Sequence, residues 1–291
     1  MGITILVTAA VAGVLFILAA LIRDSNRFVT AEYRVSSEKL CRSCRAVMLS
    51  DLHNKEYGRG NARLLHAIDQ AAPDFILIGG DMLTADGEKT DYSVALELIR
   101  RLAEKYPVYY GIGNHEYRMK VCRKTYQDRF SRYTRELGKC GVRIMENDRV
   151  FLPDFNLEIC GLEIGRAYYK RFRHKKMDGG YLPGILGKSR KDCFELMIAH
   201  NPDYFKEYAA WGADLVLSGH IHGGVVRVPF LGGLISPMMH FFPEYDGGRF
   251  EEGESVMILG RGLGMHTIPL RLFNPGELVV LRLEAGQEQS P

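Results

Sequence analysis

Five times along the chain a short apolar run breaks off into residues of a different character. Val47–Leu49 ends in Ser50-Asp51-Leu52-His53, Phe75–Ile78 in Gly79-Gly80-Asp81, and Val108–Ile112 in Gly113-Asn114-His115-Glu116. Leu196–Ala199 ends in His200-Asn201-Pro202, and Leu215–Leu217 in Ser218-Gly219-His220-Ile221-His222. Between the first three runs, Asn61–Ala71 carries Leu64, Leu65 and Ile68 at helical spacing, and Tyr92–Ala103 carries Val94, Leu96, Leu98, Ile99 and Leu102. Buried runs alternating with amphipathic helices predict βαβ units. Arg118–Leu137 reads as a basic helical segment and Tyr204–Trp211 as a shorter helix. Arg143–Met145, Val150–Leu152 and Leu157–Gly161 read as hairpin strands of a second sheet. Residues 166–192 lack periodicity and read as a surface loop. The late runs Val256–Leu259 and Leu278–Leu283 alternate with Gly and Pro turns.

The first 22 residues break this pattern. Gly2–Ile22 holds no charged side chain, and roughly 20 such residues cross a bilayer as a helix. A cleaved signal would carry basic residues ahead of a shorter apolar core, so a retained single-pass anchor is the expectation. Arg23, Arg27, Arg34, Lys39, Arg42 and Arg45 follow it, and the positive-inside rule then puts the rest of the chain in the cytoplasm, with an extracytoplasmic domain as the alternative. The expected organisation is an anchor at 1–22, a juxtamembrane linker or edge strand at 23–45, one domain at 46–285 and a tail at 286–291. The 291 residues are 46% apolar and 25% charged, which excludes a disordered chain. A net charge of +3 is too slight to call for nucleic acid. Six cysteines fit a reducing compartment. Cys41-Arg42-Ser43-Cys44 has no second pair to complete a zinc site, so it reads as two incidental thiols.

In open α/β sheets, ligands bind beyond the carboxyl ends of the strands. There the five runs deliver Asp51, His53, Asp81, Asn114, His115, His200, His220 and His222. Carboxylates and imidazoles suit first-row divalent metals, and the set is large enough for two ions sharing a carboxylate. Taken singly, each of these residues fits an ordinary loop or turn. Together, at successive strand ends, they point to one site.

The series Asp51-Leu-His53, Gly80-Asp81, Gly113-Asn114-His115-Glu116, His200 and Gly219-His220-Ile-His222 resembles the calcineurin-like metallophosphoesterase superfamily across residues 46–283. Ser50–Asn54, Gly79–Met82 and Gly260-Arg261-Gly262-Leu263-Gly264 resemble its bacterial membrane-associated branch of YaeI- and YkuE-like phosphodiesterases. The resemblance implies an α/β fold, a four-layer α/β/β/α sandwich of two mixed sheets flanked by helices. It implies that Asp51, His53 and His222 hold one divalent ion, that Asn114, His200 and His220 hold another, and that Asp81 bridges them. The ions would be Mn, Zn, Fe, Co or Ni, and a metal-bridging hydroxide would attack phosphorus. His115 would serve the leaving oxygen as catalytic acid, with Glu116 orienting it. Arg261, His240 and His266 are further substrate or supporting candidates.

The implied activity is a phosphodiesterase or pyrophosphatase, acting at the membrane on a lipid-linked or nucleotide-sugar phosphoester. A phosphomonoesterase or protein phosphatase is the alternative enzyme, and a non-catalytic membrane scaffold the alternative class. The basic cluster Arg166, Lys170, Arg171, Arg173, Lys175 and Lys176 suits a phosphate, anionic headgroups or plain solvation. The apolar stretch Val225–Phe242 suits a lipid contact or a buried hairpin.

Overall fold

The computed structural model describes residues 1–170, 175–224, 226–228, 232–235, 243–265 and 270–286. The chain opens with helix α1 (Gly2–Ser25), strands β1 (Phe28–Ser37) and β2 (Cys44–Leu49), α2 (Ala62–Ala71), β3 (Phe75–Ile78), α3 (Ser93–Ala103) and β4 (Val108–Gly111). Next come α4 (Asn114–Val121), α5 (Arg123–Tyr126), α6 (Arg129–Lys139), β5 (Arg143–Met145), β6 (Asp148–Leu152) and β7 (Leu157–Leu162). The second half holds α7 (Tyr181–Leu186), β8 (Phe194–Ala199), α8 (Phe205–Trp211), β9 (Leu215–Ser218), β10 (Val226–Val228), β11 (Gly232–Ile235), β12 (Gly248–Glu252), β13 (Ser255–Leu259) and β14 (Gly276–Ala285).

Two six-stranded mixed sheets form, in the orders β1-β14-β2-β3-β4-β5 and β12-β13-β9-β8-β7-β6, beside a small β10-β11 pair. Side-chain alternation explains why their central strands are apolar throughout. In β2, Ala46 and Met48 face the second sheet while Val47 and Leu49 face the helices. In β8, Leu196 and Ile198 enter the inter-sheet core, while Met197 and Ala199 pack outward with α8. A strand covered on both faces has no polar side to show. Three apolar cores thus separate helix, sheet, sheet and helix, the four expected layers.

Register aligns the strand ends that matter. Leu49 pairs with Ile78, and Ile78 with Tyr110, so β2, β3 and β4 run parallel and stop at one level. In the other sheet Ile198 pairs with Leu217. The loops beyond are laced together by backbone bonds, Asp51 N–H to Gly80 O at 2.9 Å and Gly219 N–H to His200 O at 3.1 Å among them.

Two expectations need correction. β5 joins the first sheet, parallel to β4, because α4–α6 form a crossover that returns the chain to that sheet; only β6 and β7 make the hairpin of the second. The described part of residues 166–192, which is 166–170 and 175–192, is not a plain loop: a 3-10 turn at Arg166–Tyr169 and α7 bury Tyr168, Met177, Leu182 and Leu186 against the second sheet. Elements this short show no period in the sequence. Of the two readings of residues 23–45, the edge strand is the one that forms: the span holds the last turn of α1, all of β1 at the edge of the first sheet and the start of β2, and only Asn26 and Arg27 separate helix from sheet.

Among the described residues α1 is the one helix long and apolar enough to cross a membrane. Its surface is exposed except at Ala20 and Asp24, which are buried, and at Leu21 and Ser25, which are half-buried. Length and composition alone fit a membrane anchor or a signal sequence equally.

Candidate metal centre

Local backbone geometry marks the site before any side chain does. Asp51, His53, Asp81, His220 and His222 all have positive φ, between 47° and 72°. Non-glycine residues seldom adopt this region, and Asp and His are among those that tolerate it. Five in one cluster is strain that the surrounding structure must hold, a recurrent feature of functional sites. Two glycines make the room. A Cβ on Gly113 would collide with Asp81 Oδ1, and one on Gly219 with Asp51 Oδ2.

The side chains converge in three overlapping groups: Asp51, His53 and His222; His53, Asp81 and His115; Asp81, His200 and His220. Within each group the candidate ligand atoms lie within 4.8 Å of one another. His222 Nε2 is 3.5 Å and His200 Nε2 3.8 Å from Asp51 Oδ1, and His200 Nε2 is 3.1 Å from Asp81 Oδ2. Both carboxylates also accept main-chain bonds: Asp81 Oδ1 from His115 N–H at 2.7 Å, and Asp51 Oδ1 from His220 N–H at 3.0 Å.

Histidine tautomers separate ligands from acid. His200 Nδ1 bonds Gly79 O at 2.7 Å, and His222 Nδ1 bonds Gly264 O at 3.1 Å. A carbonyl can only accept, so Nδ1 carries the proton in both rings and the neutral form turns an Nε2 lone pair toward the carboxylates, as a metal ligand must. His115 is reversed. The Ala85 N–H donates to its Nδ1 at 2.9 Å, which leaves the proton on Nε2, 4.0 Å from Asp81 Oδ2. That ring presents a donor to the cluster.

Electrostatics point the same way. Burial opposes ionisation of Asp81, yet His200, His115 and His53 override it and hold the carboxyl well below its usual range. Burial pushes Asp51 up to about 6, against the pull of His200. Burial would strip the His200 proton, but Asp81 and Asp51 raise that ring to about 10. Without metal, therefore, a protonated imidazole supplies the positive charge that the carboxylates call for. Asn114, the first residue of α4, has a buried Oδ1 with no hydrogen-bond partner among the described residues. A buried carbonyl oxygen without a donor, beside carboxylates and neutral imidazole nitrogens, is the donor set that a divalent cation satisfies.

Glu116 does not touch His115 as expected. Its carboxylate accepts the N–H groups of Asp81 and Met82 at 2.9 Å each and of Gly113 at 3.2 Å, together with the Tyr110 hydroxyl at 2.7 Å. It fixes the main chain under Asp81, and Ala85 sets the His115 tautomer. Burial, with Asp81 adding to it, raises Glu116 to about 7. Arg261 is drawn away into a pair with Glu277 at 3.2 Å. His240 and His266 lie outside the described residues, as do Arg171, Arg173 and most of Val225–Phe242. Cys44 is buried at the start of β2 and its thiol is raised to about 12 by burial, so it is no reactive thiolate. A cleft of about 760 Å³ lined by Ser36, Cys44, Arg45 and Arg282 opens at that same end of β2, away from the cluster.

Three contributors carry no sequence motif. The Tyr169 ring stands 5.2 Å from His220 and 6.3 Å from His200, walling that side of the cluster. Arg271 is buried and donates to the carbonyls of Gly264 at 2.7 Å, Arg261 at 2.9 Å, Gly262 at 3.2 Å and Asn274 at 3.3 Å. Asn274 donates to His222 O at 2.8 Å and Gly224 O at 2.6 Å. Gly264 O therefore bonds both Arg271 and the His222 ring. Arg271→Met should cost about 2 kcal/mol, since buried carbonyls lose their donors, and lower the melting temperature by roughly 5 °C. Metal affinity should fall about tenfold as His222 loses its support. Calorimetry and metal titration would check both, and an unchanged melting temperature would contradict the role.

The family model described as calcineurin-like phosphoesterase matches residues 44–224. The metallophosphoesterase YkuE of Bacillus subtilis is 25% identical over 250 residues, covering 82% of this chain and 78% of YkuE. A metallophosphoesterase of Helicobacter pylori strain J99 is 28% identical over 84% of this chain, which spans only 61% of that protein. Phosphodiesterase YaeI of Escherichia coli is 27% identical over 72% of this chain and 70% of YaeI. The family match runs from the first residue of β2 to just past His222, the span that carries every ligand candidate, and the chain accordingly belongs to the calcineurin-like phosphoesterases, metal-dependent enzymes of phosphoester chemistry.

Proposed function

We propose that this chain is a membrane-anchored hydrolase of phosphodiesters or pyrophosphates, with a lipid-linked or nucleotide-sugar phosphoester as its substrate. The carrying observation is the pair of His/Asp groups, Asp51–His53–His222 and Asp81–His200–His220, set side by side. In this reading Asp51, His53 and His222 hold one ion, Asn114, His200 and His220 hold a second, and Asp81 serves both. Bound divalent ions would lower the pKa of water and neutralise charge on a phosphoryl group.

The chain's own residues do the rest. His115, with its proton on Nε2, donates to the departing oxygen, a task suited to imidazole near neutral pH. Glu116 holds the main chain of Asp81 and Gly113, so the shared carboxylate keeps its place. Tyr169 bounds the site beside His200 and His220. Relatedness to YaeI, a phosphodiesterase, favours the diester over the monoester. The apolar α1 and the arginines after it support an anchor with the domain on the cytoplasmic side.

One experiment tests activity and side together. Inverted membrane vesicles carrying the full chain should hydrolyse bis-p-nitrophenyl phosphate well ahead of p-nitrophenyl phosphate. Chelation should abolish the activity and added Mn²⁺ restore it, while sealed right-side-out vesicles stay silent. Faster turnover of the monoester would move the assignment to a phosphomonoesterase. Activity in right-side-out vesicles alone would reverse the topology.

A further inference from the structure

We infer that the segment Leu270–Phe273 is a second membrane contact, dipping into the bilayer beside α1 and tying the metal-bearing loops to the lipid surface. The inference rests on α1 being a retained anchor.

The helix does not hang from the domain on a tether. Phe16, Ala20 and Asp24 lie on one face at four-residue spacing, and Ala20 and Asp24 are buried against the domain. Asp24 Oδ1 accepts from Arg27 at 3.0 Å and Arg23 at 3.3 Å. Ser25 Oγ accepts the Arg271 N–H at 3.2 Å, Asn26 Oδ1 accepts from Lys55 at 3.0 Å, and Arg27 O accepts the Gly276 N–H at 3.1 Å. Each residue from Asp24 to Arg27 is therefore engaged, and the anchor meets the domain at a fixed place.

That place is the segment 270–274, whose polarity is inside-out for a loop in water. Arg271 and Asn274, its polar residues, are buried, while Leu270 is 46% and Phe273 39% exposed. Phe273 has φ +55°, a conformation that a bulky residue seldom adopts. It turns the ring outward, to 6.4 Å from the Phe16 ring.

Depth follows from helix geometry. Arg23 marks the headgroup level, where a basic side chain can reach water. Phe16 lies seven residues nearer the N-terminus, about 10 Å further along the helix axis at 1.5 Å per residue. The Phe273 ring, 6.4 Å from the Phe16 ring, then lies at least about 4 Å beneath the arginines, on the hydrocarbon side. An apolar exterior and buried polar groups suit that solvent and not water. Because Asn274 holds His222 O and Arg271 holds Gly264 O, this wedge shares a rigid backbone with one side of the metal site.

Tryptophan quenching in vesicles tests this with the full-length chain. Phe273→Trp and, as a probe of α1, Val11→Trp would each be reconstituted into phosphatidylcholine vesicles whose acyl chains carry bromine. Trp211, the last residue of α8, buried beside α7 and present in every sample, sets the unquenched background. The F273W indole should lose as large a fraction of its emission as the V11W indole, and aqueous acrylamide should quench neither. If V11W is quenched by lipid while F273W answers only to acrylamide, the wedge is wrong and the anchor stands. If F273W answers to neither, another protein surface covers it and the inference also fails. If V11W is not quenched by lipid, the anchor itself is wrong. Leu270→Trp serves the same test should F273W fail to fold, as judged by circular dichroism.

Discussion

D81N is expected to lower turnover of a phosphodiester by about 1,000-fold or more, and to bring the metal content below two ions per chain. Asp81 is the one carboxylate shared by two of the three side-chain groups, its Oδ2 lying within 4.0 Å of both His115 Nε2 and His200 Nε2. Metal charge contributes several kcal/mol to a phosphoryl transition state, and each ~1.4 kcal/mol is a factor of ten in rate. The substitution keeps volume and shape, so melting behaviour should change far less than activity. It removes the charge that overrides burial at His200, and that ring should then lose its proton more readily. Elemental analysis beside steady-state kinetics would check the result. Unchanged hydrolysis with two ions bound would remove Asp81 from the reaction.

H115A is expected to separate leaving groups rather than metals. If the Nε2 proton serves the departing oxygen, a diester with an alkyl leaving group should slow by roughly 100- to 10,000-fold. An ester of p-nitrophenol leaves without such help and should lose much less. Metal content should stay at the wild-type level, because Nδ1 of this ring is occupied by the Ala85 N–H and Nε2 carries a proton. Equal losses on both esters, together with lost metal, would make His115 a ligand instead.

Much of this site was legible in the chain because its ligands sit next to their strands. Asp51 and His53 follow β2, Asp81 follows β3, Asn114 follows β4, His200 follows β8, and His220 and His222 follow β9. A strand buried on both faces is a continuous apolar run, and the abrupt change at its end is visible without coordinates. The residues that hold the ligands were not legible. Arg271 lies about fifty residues from His222 in sequence and acts through backbone carbonyls, a contact that leaves no spacing to read. Tyr169 sits in a turn of four residues, too short to show a period. Glu116, one residue from His115, invited pairing with it, yet its carboxylate reaches back to the amides of Asp81 and Met82.

The alternation of strand and helix, the apolar N-terminal helix, the candidate ligand set and the family these imply are each a local pattern of side chains along the backbone, and so can be read from the residues in order. How they meet depends on contacts between residues far apart in the chain. Parallel register brings the ends of β2, β3 and β4 to one level, and packing of a second sheet sets β8 and β9 against them. Long-range bonds from Gly79 O, Gly264 O and the Ala85 N–H then assign His200, His222 and His115 their tautomers, so chemically identical side chains are divided between metal ligand and acid. No histidine carries that distinction in its own sequence neighbourhood; it comes from the carbonyl or amide the fold brings to Nδ1.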